Sequence, residues 1–248
     1  MNQILICLLT LRTHQDIRSF CLIFTISSLV FLSLGGCVSD AHSDYVTPSF
    51  TYSPDGRLGV MLPVFRIDSE GESDPRLNKV VDVASHRVAA TIQAEPGYDK
   101  RLNFREVVAP KWSSDSSILI WEVDGKWFPY ALVLLKFHEG NQQWQLDLLK
   151  TGQQQILSRT RKAVPERYAA AKKANVGSGS AYPEGFTIDV TTDSEDSTAA
   201  SLPLNVRVTL TANPKQIEGF TADLNASLDA TVTEKGEFVV KTFLVEEQ

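Results

Sequence analysis

The stretch Phe50-Thr51-Tyr52-Ser53-Pro54-Asp55-Gly56-Arg57, followed by the apolar run Leu58 to Phe65, decides the fold. It returns about sixty residues later as Pro110-Lys111-Trp112-Ser113-Ser114-Asp115-Ser116-Ser117, followed by Ile118 to Val123. In each copy an aromatic residue leads into a turn, and the turn leads into a β-rich run. Pro and Gly set turn dihedrals, and Asp bonds the amides of its own turn. More strand-like sequence follows each copy. After the first come Lys79 to Ala84 and Arg87 to Ile92, separated by Ser85-His86. After the second come Tyr130 to Phe137 and Gln143 to Leu149, separated by Glu139-Gly140-Asn141. Asp124-Gly125 is a hairpin signal between apolar runs.

The rest of the chain changes period. Gln153 to Asn175 reads as helix, with the helix-favouring run Ala169-Ala170-Ala171-Lys172-Lys173-Ala174. Pro165 either opens a second helix or kinks one continuous helix. Ile156, Val164 and Tyr168 share a face, with Leu157 beside them, and Gly177 is a plausible stop. Gly177-Ser178-Gly179-Ser180 reads as a linker. Beyond it, Phe186 to Thr192, Leu204 to Leu210 and Leu224 to Val232 alternate apolar and polar residues, and Phe238 to Val245 returns after a turn at Glu234-Lys235-Gly236. That period predicts an antiparallel meander with one wet face. The expected fold is mainly β with one helical segment. Two antiparallel units come first, then a helix or kinked helix pair, then the meander.

The two units at residues 50–149 resemble blades of the TolB-type β-propeller repeat, whose signature is W-S-P-D-G before a strand. The first copy keeps Ser53-Pro54-Asp55-Gly56 with Tyr52 in place of Trp; the second keeps Trp112-Ser113 and Asp115. Two blades do not close a ring. The resemblance therefore implies a pair of propeller-blade-like sheets whose edges are covered by other parts of the chain, with the helical segment as the covering element.

Phe20 to Leu34 is free of charge, follows Arg12 and Arg18, and ends in Leu34-Gly35-Gly36-Cys37. A basic flank, a short apolar core and small residues make a secretory signal. The core falls short of the about 20 apolar residues a membrane-spanning helix needs. The segment ahead of Arg18 has its own apolar run, Ile4 to Leu11, which fits an extended signal or a translation start nearer Arg18. The segment resembles the lipobox of bacterial lipoproteins. That resemblance implies a diacylated Cys37 as the first mature residue, at the periplasmic side of the envelope. Val38, where an Asp would signal inner-membrane retention, implies the outer membrane. The expected divisions are signal 1–36, tether 37–49, blade-like region 50–149, helical segment 150–176 and C-terminal β region 177–248. Cys7 and Cys21 leave with the signal and Cys37 carries the lipid, so the mature chain has no thiol and holds together without disulfides.

The chain carries 24 Lys and Arg against 30 Asp and Glu, a net charge of −6, which argues against nucleic acid as the main partner. The positive charge is concentrated: Lys150 to Lys173 holds seven basic residues and one acid, Glu166. Arg159, Arg161, Lys162, Arg167, Lys172 and Lys173 are thus a candidate contact surface for anionic headgroups, an anionic envelope polymer or an acidic partner protein. The plainer reading is a solvated helix face. Trp121 and Trp127 flank Asp124-Gly125 and, with Trp112, Phe128 and Tyr130, make either a core cluster or a ligand platform.

Catalytic motifs are scarce. His42, His86 and His138 lack metal-ligand spacing, and no nucleophile elbow, Walker loop or dinucleotide fingerprint occurs. No cofactor is expected. Lys150-Thr151-Gly152 matches the K-T-G element of serine β-lactamases, without that family's other motifs. Asp193, Glu195 and Asp196 form an acidic loop with carboxylates spaced for calcium, though it lacks the Gly and distant Glu of a calcium loop. The expected role is non-enzymatic binding or scaffolding at the envelope. The alternative is a carboxylate hydrolase in which acids such as Glu106, Glu122 and Asp147 converge in a cleft.

Overall fold

A computed structural model describes residues 44–64, 76–98, 106–108, 110–125, 129–174, 182–193, 199–212 and 224–246. Cys37, His42, Trp127, Phe128, Gly177, Glu195 and Asp196 lie outside the described residues, as do the leader and the Gly-Ser linker. The chain is mainly β, with three antiparallel sheets and a helical segment.

The first sheet is a meander of β1 (Tyr45–Val46), β2 (Leu58–Pro63), β3 (Lys79–Asp82) and β4 (Val88–Thr91). Tyr45 lies opposite Pro63 and Val46 opposite Leu62, so this sheet recruits residues ahead of the expected boundary at 50. The second sheet has β5 (Glu106–Val107), β6 (Lys111–Trp112), β7 (Ile118–Asp124), β8 (Ala131–His138) and β9 (Asn141–Asp147). β5 and β6 both pair with β7, which continues into β8 and β9. Glu139 and Gly140 close the β8–β9 hairpin with φ of 51° and 76°. Two successive positive φ values match the twist of the strands they join.

The repeated motif folds the same way twice. Ser53 N–H donates to Leu58 O at 2.8 Å, and Leu58 N–H returns a bond to Ser53 Oγ at 2.9 Å. Ser113 and Ile118 repeat the exchange at 2.9 and 2.8 Å. Each Ser hydroxyl also donates to its Asp, Ser53 to Asp55 and Ser113 to Asp115, both at 2.6 Å. Gly56 and Ser116 occupy the same left-handed corner, with φ of 70° and 60°. The turn therefore depends on the Ser and Asp, which both copies keep. The Pro and Gly that the second copy lacks are dispensable to its shape.

β7 and β8 are apolar on both faces, Glu122 and Lys136 aside, up to their last residues Asp124 and His138. Leu119, Trp121 and Val123 of β7, with Val133, Leu135 and Phe137 of β8, share a core with Leu58, Val60, Leu62, Val80, Ala90 and Ile92 of the first sheet and its flank. Ile118 and Ile120, with Leu132 and Leu134, enter a second core with the helices and the third sheet. Side chains alternate across a strand, so a strand sandwiched between two cores is apolar on both faces wherever it is covered.

The third sheet is a meander of β10 (Phe186–Thr192), β11 (Leu204–Ala212), β12 (Asn225–Val232) and β13 (Phe238–Val245). The buried residues of β10 to β12 alternate strictly. Helix α1 (Leu148–Ala163) and helix α2 (Pro165–Ala174) follow β9. The expected strand to Leu149 is cut short: Asp147 caps α1, its carboxylate accepting from Lys150 N–H at 2.9 Å. Pro165 opens the second helix after a break at Val164, which has φ −137° and ψ 63°. The helices cover a sheet face rather than sheet edges. Leu148, Ile156, Leu157, Tyr168 and Ala171 sit in the second core, because the apolar stripe needs a flat partner. Gly152 lets α1 approach closely. A Cβ there would stand 3.0 Å from methyls of both Val190 and Val208. The Lys150-Thr151-Gly152 match is therefore the first turn of a packing helix.

Candidate functional site

The twin turns meet. Asp55 N–H donates to Ser116 Oγ at 3.2 Å, and Trp112 Nε1–H donates to Thr51 O at 3.1 Å. Beside this junction lies a recess of about 280 Å³ lined by residues that include Asp55, Arg57, Asp115, Ser117, Phe137 and His138. Two arginines of the first sheet grip the β8–β9 hairpin at its rim. Arg57 Nη2 donates to Glu139 O at 2.9 Å, and Arg87 reaches Asn141 Oδ1 at 3.2 Å and Gly140 O at 3.3 Å. Arg57 also pairs with Asp82 at 3.7 Å.

The electrostatics of the recess follow from the turns. The hydroxyl of Ser53, with the backbone N–H of Arg57 and Ser116 Oγ, holds the Asp55 carboxyl below the usual range despite some burial. Ser113, then Ser117 through hydroxyl and N–H, lowers Asp115 in the same way. Both carboxylates stay ionised at neutral pH, so the recess is suited to reversible polar contacts rather than proton donation.

The expected site residues divide into three groups. Trp121 is fully buried in the core between the first two sheets, so its ring is no surface platform. Its strand is covered on both faces, so of the two readings, core cluster and ligand platform, Trp121 takes the first. Several basic side chains turn back onto their own chain. Glu184, ahead of β10, pairs with Arg161, accepts from Lys172 Nζ at 2.7 Å and accepts from Tyr168 Oη at 3.0 Å. Burial pushes Glu184 up, but the bonds from Lys172 and Tyr168 and the charges of Arg161 and Lys172 outweigh it, leaving the carboxyl below its ordinary value. Arg167 donates from both Nη atoms to Glu246 O at 3.2 Å. Arg159 is half-buried, and Lys162 and Lys173 are exposed. The basic segment thus stitches the helices to the third sheet, and only part of it faces outward.

Of the acids of the hydrolase alternative, Glu122 and Asp147 do not converge, while Glu106 takes the register position opposite Asp124. Glu122 lies opposite Leu132 and Asp147 opposite Val133, which places them on opposite faces of the second sheet. Burial raises Asp147, opposed by its bond from Lys150 N–H, and the cap uses the carboxylate structurally. Asp193 bends back onto Asn205, accepting from Nδ2 at 2.8 Å. Among the described residues no three His, Cys, Asp or Glu side chains form a metal-holding group, and no helix is long and apolar enough to cross a membrane. No protein-family model and no curated protein matches this sequence.

Sequence reading missed Arg57, Arg87 and the Lys136–Glu234 pair, which ties β8 to the β12–β13 turn. Lys136 carried the one available signal: a single charge in an otherwise apolar strand.

Proposed function

We propose that this chain is a lipid-anchored protein of the bacterial cell envelope, facing the periplasm, with a non-enzymatic binding or scaffolding role. The observation that carries the reading is Leu34-Gly35-Gly36-Cys37 behind a charge-free apolar core and a basic flank. The first described strand begins at Tyr45, eight positions after Cys37. A chain reaches at most about 3.5 Å per residue, so the folded part is tethered within about 30 Å of the anchor. Val38 favours the outer membrane. The recess at the twin turns and the outward-facing Lys162 and Lys173 are the polar surfaces available to a partner.

The test is metabolic labelling with an alkyne fatty acid, with membrane fractionation. The native chain takes up label and sediments with membranes. Cys37→Ser loses both while remaining folded by circular dichroism. Retained label in Cys37→Ser would defeat the proposal. Crosslinking in the native membrane then identifies neighbours, and charge reversal at Lys162 and Lys173 asks whether the helix face takes part.

A further inference from the structure

Among the described residues strand β13 is an edge, hydrogen-bonded on one side to β12. Six of its eight residues, Phe238, Val239, Val240, Phe243, Leu244 and Val245, are apolar, and none of the eight is buried. Phe238, Val240, Phe243 and Val245 pack partly against the second core, which therefore runs out to the sheet's rim without closing. On the other face Val239 and Leu244 stand 37% and 66% exposed. Solvent-exposed edges of this length are templates for another strand, and proteins commonly guard them with a Lys or a bulge. Here the register shifts opposite Asp229 and Ala230, and Lys241 projects at that point.

The exposed outer row reads Glu237, Val239, Lys241 with Thr242, Leu244, Glu246: acid, apolar, base, apolar, acid. This order selects the occupant. A second copy fits poorly. The antiparallel register that matches inner residues to inner residues, Phe238 with Val245 and Val240 with Phe243, sets Glu237 against Glu246 of the other copy at both ends. A parallel copy in register sets each charge against itself. Like charges directly opposite are destabilising.

We propose that the β13 edge binds an extended segment of a partner protein by strand addition. That segment is apolar on one face and carries a basic, an acidic and a basic residue in order on the other. Main-chain bonds supply affinity, apolar side chains close the core over Phe238 to Val245, and the charge order supplies selectivity.

The probe is a capped nine-residue peptide alternating valine with polar residues, with lysine at each end, glutamate at the centre and threonine between. Its binding to the full chain is read by fluorescence anisotropy. The charge-swapped peptide, glutamate at the ends and lysine at the centre, binds at least about fivefold more weakly, one to several exposed ion pairs being worth that much. The Lys241→Glu variant narrows or reverses that preference. Two N-methylated versions of the peptide, each blocked along one edge, separate strand addition from apolar adhesion: one loses binding and the other keeps it. Equal binding of the two N-methylated peptides, or of the two charge orders, overturns the proposal. So does a dimer seen by sedimentation that Leu244→Glu dissociates, which assigns the edge to self-pairing.

Discussion

Leu134 and Leu135 are neighbours in β8, both fully buried, yet Leu134 belongs to the core with the helices and third sheet and Leu135 to the core with the first sheet. Truncating either to Ala removes three carbons, about 2.4 kcal/mol of transfer energy at about 0.8 kcal/mol per carbon. The cavity left behind raises the cost of each to about 3–4 kcal/mol. For a chain of this size that lowers Tm by about 6–15 °C. The two side chains point to opposite faces and share no apolar neighbours in the two clusters. Their effects should therefore add to within about 0.5 kcal/mol. The double variant approaches the whole stability of an ordinary domain, about 5–15 kcal/mol. Urea denaturation followed by tryptophan fluorescence measures this, since Trp112 and Trp121 report the first core and Trp144 packs against the second. A single-variant cost below about 1 kcal/mol at either position would show that the strand is not enclosed on that side. Marked non-additivity would show that the two cores repack as one.

Four further outcomes are expected. Gly56→Ala destabilises by about 1 kcal/mol in the same assay, because an L side chain resists the left-handed corner; nothing lies within 4 Å of the new Cβ to add a clash. Ser116→Gly stays near neutral, since relief of the same conformation offsets the lost bond from Asp55 N–H. Gly152→Val destabilises by about 1–3 kcal/mol, because the added carbons meet Val190 and Val208 and must push α1 off the sheet. The Glu184 knot gives stability a pH dependence at both ends. Its lowered carboxyl contributes above the ordinary Glu range, and that contribution fades as pH falls through its folded pKa. Tyr168, pushed up to about 12 chiefly by burial, contributes fully below the ordinary tyrosine pKa and is lost as pH rises towards about 12. Glu184→Gln flattens the acid limb and Tyr168→Phe the alkaline limb of a stability curve against pH.

The third sheet was the most legible part, since β10 to β12 follow a period-two pattern that only one buried face produces. The twin turns were legible from Ser53, Asp55, Ser113 and Asp115 because their bonds are local. What stayed hidden needed distant contacts. A mostly apolar strand reads the same whether one face or two are covered, so the sequence left the core and platform readings of Trp121 side by side. Arg161 and Lys172 showed their charge but not Glu184, which the fold brings to them across a linker. The pattern carries the strand on to Leu149, and only the cap from Asp147 to the amide of Lys150 starts the helix at Leu148. The recess at the twin turns joins the start of β2 to the start of β7 and the β8–β9 hairpin, and no spacing announces it.

The double duty of the second sheet also decides how this chain can be cut. The expected boundary after residue 149 separates elements in sequence but not in solvent exposure. A chain ending there leaves Ile118, Ile120, Leu132 and Leu134 without the residues that keep their face dry. The blade-like half is therefore no portable module. Translation must run past β12 before the central sheet is wetted on neither side, and a premature stop within the third sheet should be as damaging as one within the second.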